Sequence, residues 1–175
     1  MHPLSKFHFC PVCGSARFVA NSDKSKKCAD CGFEYFLNAS AANVAFILNA
    51  RRELLVVTRK KEPAQGTLDL PGGFADIGET AEEGVMREVR EETGLEVTAL
   101  RYLFSRPNSY SYSGFEVKTL DCFYLCQVRD ADSARPHDDA ADLQWVALDD
   151  LRPDLFGLDS IRAGLLQFLH DRPWL

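Results

Sequence analysis

The sequence predicts one α/β domain behind a small β ribbon held together by cysteines. Three observations predict it: two Cys-x-x-Cys-Gly turns lie near the start, β-rich apolar runs alternate with helical patterns from Ala42 onward, and a glycine-rich stretch leads into a doubly signalled helix start. The 175 residues suffice for one core plus an appendage, and 46% hydrophobic with 26% charged side chains excludes disorder, collagen and coiled coil. A formal charge of −6 repels nucleic acid and anionic membrane at long range, so a bound phosphate needs local cations. No run reaches the ~18 apolar residues of a spanning helix, and the opening MHPLSKFHFC lacks the pattern of a signal peptide. The expected location is the cytoplasm, with no membrane partner.

Cys10-Pro-Val-Cys13-Gly14 and Cys28-Ala-Asp-Cys31-Gly32 form a four-thiolate zinc pattern. Each turn offers two sulfurs, and its glycine permits the bend that aims backbone N–H groups at them. Two turns complete a tetrahedron around Zn²⁺ with no position left for water, so the metal is structural. Two disulfides and a redox dithiol are the rival readings; a reducing cytosol disfavours the first, and the second matched pair disfavours the other. Short β runs at 16–20 and 33–37, with a hairpin turn over 21–25, complete a zinc ribbon of residues 1–38. So small a unit lacks an apolar core of its own, and chelation is expected to unfold it.

Behind the ribbon, residues 42–49 and 53–59 are apolar, β-rich runs about a turn at Ala50-Arg51-Arg52 and read as a hairpin. The stretch 62–78 is rich in glycine and proline. Thr80 with Glu83 three later forms a capping box, and Gly94 ends the run, which gives a helix over 80–93. Strands follow at 95–104, 115–128 and 143–148, then a last amphipathic helix at 160–170. Cys122 and Cys126, four apart in a strand, face the same way and read as buried structural thiols.

On the first helix Glu88, Glu91 and Glu92 stand at i, i+3 and i+4, within an arc of about 100°. Like charges at that spacing repel, so a compensating cation is expected, and hard oxygen donors suit Mg²⁺ or Mn²⁺. The bland alternative is a salt-bridged surface helix, because Glu83 with Arg87 and Arg87 with Glu91 are i, i+4 pairs. Leu70-Pro71-Gly72-Gly73, directly upstream, weighs toward the metal: glycines let backbone carbonyls and N–H groups approach an ion or a phosphate.

The run from Gly73 to Leu95, GFADIGETAEEGVMREVREETGL, matches the Nudix box, G-x5-E-x7-R-E-U-x-E-E-x-G-U with U aliphatic, at Gly73, Glu79, Arg87, Glu88, Val89, Glu91, Glu92, Gly94 and Leu95. The chain thus resembles the Nudix hydrolase family. The resemblance implies an α/β/α sandwich with a mixed sheet over residues 39–175. It also implies a metal-dependent hydrolase that cleaves the diphosphate linkage of a nucleoside diphosphate derivative to a nucleoside monophosphate and a phosphorylated fragment. By it, Glu88, Glu91, Glu92 and the Gly72 carbonyl are Mg²⁺ or Mn²⁺ ligands, Glu79 and Arg87 are the ion pair fixing the loop to the helix, and Glu91 or Glu88 is the base. The cations neutralise the diphosphate and lower the pKa of the attacking water. Another acidic ligand is expected from a distant loop; Asp139 is preferred among Asp138, Asp139 and Asp142, and His137 suits a hard cation less well.

A zinc ribbon ahead of this box resembles the NADH pyrophosphatase branch, which cleaves NADH and, in some members, the NAD cap of RNA. That branch carries S-Q-P-W-P-F after the box. Here Ser105-Arg106-Pro107-Asn108-Ser109-Tyr110 keeps serine, proline and an aromatic but replaces glutamine and tryptophan, so NADH, ADP-ribose, another dinucleotide and a nucleotide sugar all stand as substrates. Arg59 and Arg106 are candidate phosphate contacts. Asn108, Tyr110 and Tyr112 are candidate nucleotide contacts in a Ser- and Gly-containing loop, the tyrosines by stacking. NAD-capped RNA as a partner, and a homodimer, are what related proteins suggest. The competing function is a nucleotide-sensing or RNA- or protein-binding adaptor, which a degraded box would mark; this box is intact.

Overall fold

The computed structural model describes residues 2–136 and 140–174. Its first unit is a three-stranded antiparallel sheet of β1 (Phe18–Ala20), β2 (Ser25–Cys28) and β3 (Glu34–Phe36). β2, Ser-Lys-Lys-Cys, has no apolar alternation, and its pairing with both neighbours is what makes it a strand. Phe18 and Phe33 stack at 6.4 Å beside buried Cys10 and Cys28, a cluster separate from the larger cores.

From residue 40 the chain runs β4 (Ser40–Ile47), β5 (Glu53–Arg59), β6 (Leu68–Asp69), β7 (Gly72–Phe74), α1 (Ala81–Thr93), β8 (Val97–Tyr112), β9 (Phe115–Val128), β10 (Ala140–Ala147) and α2 (Asp159–Asp171), with single 3₁₀ turns between. One sheet has the order β7-β4-β9-β8 and the other β10-β5-β6. β4 and β9 run parallel and the remaining pairs antiparallel, so the first sheet is mixed. The pleat sorts side chains between two cores. Val44 and Phe46 of β4 join Leu165 and Phe168 of α2, with the Phe46 and Phe168 rings 3.8 Å apart, whereas Ala45 and Ile47 join Val85 and Val89 of α1. The helices therefore cover opposite faces, and the architecture is an α/β/α sandwich. Among the described residues no helix is long and apolar enough to cross a membrane.

Two expectations are corrected. The runs 42–49 and 53–59 share a turn, closed by Asn49 N–H donating to the Glu53 carbonyl at 3.1 Å and by one bridge between Leu48 and Leu54. They then part into different sheets, because β4 takes β9 as its neighbour. The segment holding Asn108, Tyr110 and Tyr112 is not a loop: β8 continues through it, paired with β9 from Asn108 opposite Thr119 to Tyr112 opposite Phe115. The segment ahead of β1 touches the tip of this hairpin, where the Lys6 ammonium donates to the Gly114 carbonyl and Phe7 meets the Phe115 ring edge-on at 5.6 Å.

Candidate active site

β7 lies against β4 beneath α1, and glycine makes that approach possible. A Cβ on Gly72 would stand 2.1 Å from the Asn43 carbonyl oxygen. One on Gly73 would stand 2.4 Å from Glu88 Oε1, so the space a methyl would fill is where the Glu88 carboxylate sits. α1 starts at a complete capping box: Thr80 Oγ1 accepts the Glu83 N–H at 3.2 Å and Glu83 Oε2 accepts the Thr80 N–H at 2.8 Å. That start fixes the rotation of the helix and turns its acidic face toward β7.

Arg87 organises this face. Its Nε and Nη2 donate to Glu79 at 3.1 and 2.7 Å, its Nη1 to Glu88 at 2.9 Å and to Glu91 at 3.0 Å, and its Nη2 also to the Phe74 carbonyl at 2.9 Å. Glu79 in turn accepts the Asp76 N–H at 2.6 Å, and Glu92 Oε2 accepts the Gly72 N–H at 3.0 Å. The fold thus brings Gly72, Glu79, Arg87, Glu88, Glu91 and Glu92 together. Hydrogen bonds from Arg87 hold the Glu79 carboxyl below its ordinary value. Burial raises the Glu88 carboxyl despite the opposing pull of Arg87. Three carboxylates on one guanidinium, with Glu92 beside them, leave a local negative charge, and a hard divalent cation fits that donor set. Glu88 and Glu91 share one Arg87 nitrogen while Glu92 faces Gly72, so among the described residues the three do not close into a ligand cage.

The cysteines do close into one. The sulfurs of Cys10, Cys13, Cys28 and Cys31 all lie within 4.8 Å of one another, at 3.6 Å for Cys10 with Cys31 and for Cys13 with Cys28, and none is in a disulfide. Tetrahedral zinc with Zn–S bonds of ~2.3 Å spaces its sulfurs by about 3.8 Å, so the donor set fits that metal. Gly14 and Gly32, at φ 73° and 77°, let their N–H groups return to the Cys10 and Cys28 carbonyls at 2.9 and 3.1 Å. Cys126 is buried in the α1-side core as expected, whereas Cys122, also expected to be buried, is only partly covered against it.

A cavity of about 400 Å³ opens beside the acidic face, on the α2 side of the β8–β9 hairpin. Gly72, Gly73 and Glu92 belong to its wall, as do Arg59, Asn108, Tyr110 and Tyr112. Arg106 is placed elsewhere, donating from Nη2 to Gln167 Oε1 on α2 at 2.7 Å. Asp139 lies outside the described residues, as do His137 and Asp138; Asp142 pairs opposite Thr58 on β10.

Two carboxylates that the sequence patterns did not single out, Asp69 and Asp121, also line the cavity. Asp69 forms an ion pair with Arg59 and accepts the Leu70 N–H at 2.8 Å, and Asp121 accepts the hydroxyls of Thr119 and Ser160. Burial raises the Asp69 carboxyl, with Arg59 opposing. The available signal was a carboxylate inside an apolar strand, which is costly unless hydrogen-bonded.

A family model described as NUDIX domain matches residues 37–168. The NAD-capped RNA hydrolase NudC of Vibrio vulnificus (strain CMCP6) is 25% identical over 152 residues, 87% of this chain and 55% of that protein. The chain thus spans about half the length of that curated relative. A MutT NUDIX hydrolase structure from Burkholderia pseudomallei is 27% identical, with a TM-score of 0.64 over 75% of this chain and 98% of that one. A NUDIX hydrolase structure from Nitrosomonas europaea, 18% identical, shares the fold with a TM-score of 0.72 over 94% of this chain and 91% of that one. With the model matched over most of its length, the sandwich in place and the box complete at every defined position, the chain belongs to the Nudix hydrolase family.

Proposed function

We propose that this protein hydrolyses the diphosphate linkage of a nucleoside diphosphate derivative, in the class of NADH, ADP-ribose, a related dinucleotide or a nucleotide sugar, to a nucleoside monophosphate and a phosphorylated fragment. The observation that carries this reading is the continuity of the carboxylate cluster with the cavity through Glu92 and Gly72-Gly73. Glu88, Glu91, Glu92 and the Gly72 carbonyl would hold Mg²⁺ or Mn²⁺, which would neutralise the diphosphate and acidify the attacking water. Arg87 aims Glu88 and Glu91 through its Nη1, and Glu79 anchors Arg87 to the loop. Glu91, with 42% of its side chain exposed against 15% for Glu88, reaches water and takes its proton. Arg59, Asn108, Tyr110 and Tyr112 receive the nucleotide. Residues 1–38 form a ribbon around one structural Zn²⁺, and residues 39–175 form the hydrolase unit. The name of the Vibrio relative makes an NAD-capped RNA a substrate to include in the trial.

The test is incubation with NADH, ADP-ribose, a nucleotide sugar, a nucleoside triphosphate and NAD-capped RNA under Mg²⁺ and Mn²⁺, beside Glu91→Gln. Nucleoside monophosphate release that needs the metal and is lost in the variant, with zinc content unchanged, supports the reading. Equal metal-dependent rates for both proteins overturn it. Binding without turnover over a wider panel favours the sensor.

A further inference from the structure

The cavity wall carries more negative than positive charge at its buried end. Asp69 and Asp121 are only 6% and 4% exposed, and Arg59 is paired with the first. Asp121 is held by neutral donors, the Thr119 and Ser160 hydroxyls. A carboxylate oxygen has two acceptor sites. The Thr119 and Ser160 hydroxyls use one site on each Asp121 oxygen, and Asp69 is similarly engaged by the Leu70 N–H and Arg59. These two carboxylates can therefore accept more hydrogen bonds, and they disfavour a carbonyl or a further anion placed directly against them, while Arg59, Lys60 and Lys61 line the same cavity.

Aromatic surface flanks these acceptors. Tyr110 and Tyr112 stand two apart on β8, facing the cavity together with Asn108, while Phe74, 45% exposed, lines its β7 side. The volume, about 400 Å³, is that of a small-molecule site. Resting on the hydrolase reading above, we infer that Asp121 and Asp69 read the N–H₂ edge of an aromatic heterocycle seated between these rings, and so set which dinucleotides are accepted. Two parts of a dinucleotide carry such an edge: an amino-substituted base such as adenine, and the nicotinamide carboxamide. A purely structural role for Asp121, tying β9 to the first turn of α2 through Ser160, is indifferent to that edge.

The experiment compares kcat/KM of the full zinc-loaded chain under Mg²⁺ for NAD, nicotinamide hypoxanthine dinucleotide and nicotinic acid adenine dinucleotide. Each analogue replaces one N–H₂ by oxygen. One of them is expected to fall by roughly 10- to 100-fold, the worth of a hydrogen bond to a charged acceptor, and which one falls names the ring in the cavity. Asp121→Asn, verified by thermal unfolding and zinc content, brings that ratio toward one and leaves the other ratio unchanged. A uniform loss on all three substrates means that Asp121 is structural and overturns the assignment, as do both analogues being used within about twofold of NAD by the native protein. If Asp121→Asn does not fold, the native ratios decide. If none of the three dinucleotides is hydrolysed, the hydrolase reading is judged separately, on ADP-ribose and the nucleotide sugar. The inference is then decided by calorimetric binding of AMP against IMP, and of nicotinamide against nicotinic acid mononucleotide, to Mg²⁺-free protein: a matching preference supports it and equal affinities refute it.

Discussion

Gly73→Ala isolates the geometry of one carboxylate. The added methyl would lie 2.4 Å from Glu88 Oε1 and 2.8 Å from Oε2, where ordinary contact begins at 3.4 Å, so the carboxylate must retreat by about 1 Å. The backbone itself tolerates alanine, since Gly73 is outside the left-handed region that holds Gly72 and Gly78. What yields is the end of a flexible side chain, so the fold persists. What is lost is the alignment of Glu88 with Arg87 Nη1, now at 2.9 Å. A displacement of that size in catalytic geometry costs about 100-fold, or about 2.7 kcal/mol in the barrier. Steady-state rates over a Mg²⁺ titration, beside a thermal unfolding curve, measure both quantities. Gly73→Ala with native turnover, native Mg²⁺ dependence and a native unfolding midpoint refutes the role given to Glu88.

Other perturbations separate the remaining parts. Gly72→Ala puts its methyl against the Asn43 backbone, which cannot retreat without opening the β4–β7 pairing, so a stability loss of about 1–3 kcal/mol should accompany loss of activity in denaturant titration. Because Arg87 depresses the Glu79 carboxyl, that pair stabilises the fold above pH 4.5 and loses its contribution as pH falls through the depressed value; Glu79→Gln should flatten the acid limb of the unfolding midpoint against pH. Burial pushes the Cys126 thiol up to about 12, so at pH 8 it stays protonated and unreactive. Alkylation followed by mass spectrometry should therefore tag Cys10, Cys13, Cys28 and Cys31 only after chelation, and leave Cys126 untagged until the chain is unfolded. Chelation should also speed amide exchange at the β8–β9 tip, through loss of the Lys6 and Phe7 contacts with Gly114 and Phe115.

What the sequence discloses depends on whether the information is local. The helix boundaries, the cysteine turns and the box are local, since capping, left-handed glycines and ligand spacing are decided within a few residues, and all appear in the structure where the pattern puts them. Strand partners are not local. β4 and β5 are buried on both faces, so each reads as an unbroken apolar run and says nothing of its neighbour; proximity suggests a hairpin, and the parallel partner β9 lies about 70 residues farther on. The segment Asn108-Ser109-Tyr110-Ser111-Tyr112 alternates like a strand, but its serines carry the composition of a loop, and the strand is made by the facing residues 115–119. The same distinction governs the site. Glu88, Glu91 and Glu92 share one helix and can be seen in a line of text. Asp69 and Asp121 sit on strands of different sheets and become a pair only after both sheets have closed over the cavity. The metal-binding half of a site built this way is written in one motif, whereas the half that chooses the substrate is assembled by tertiary folding and can diverge while the motif stays intact.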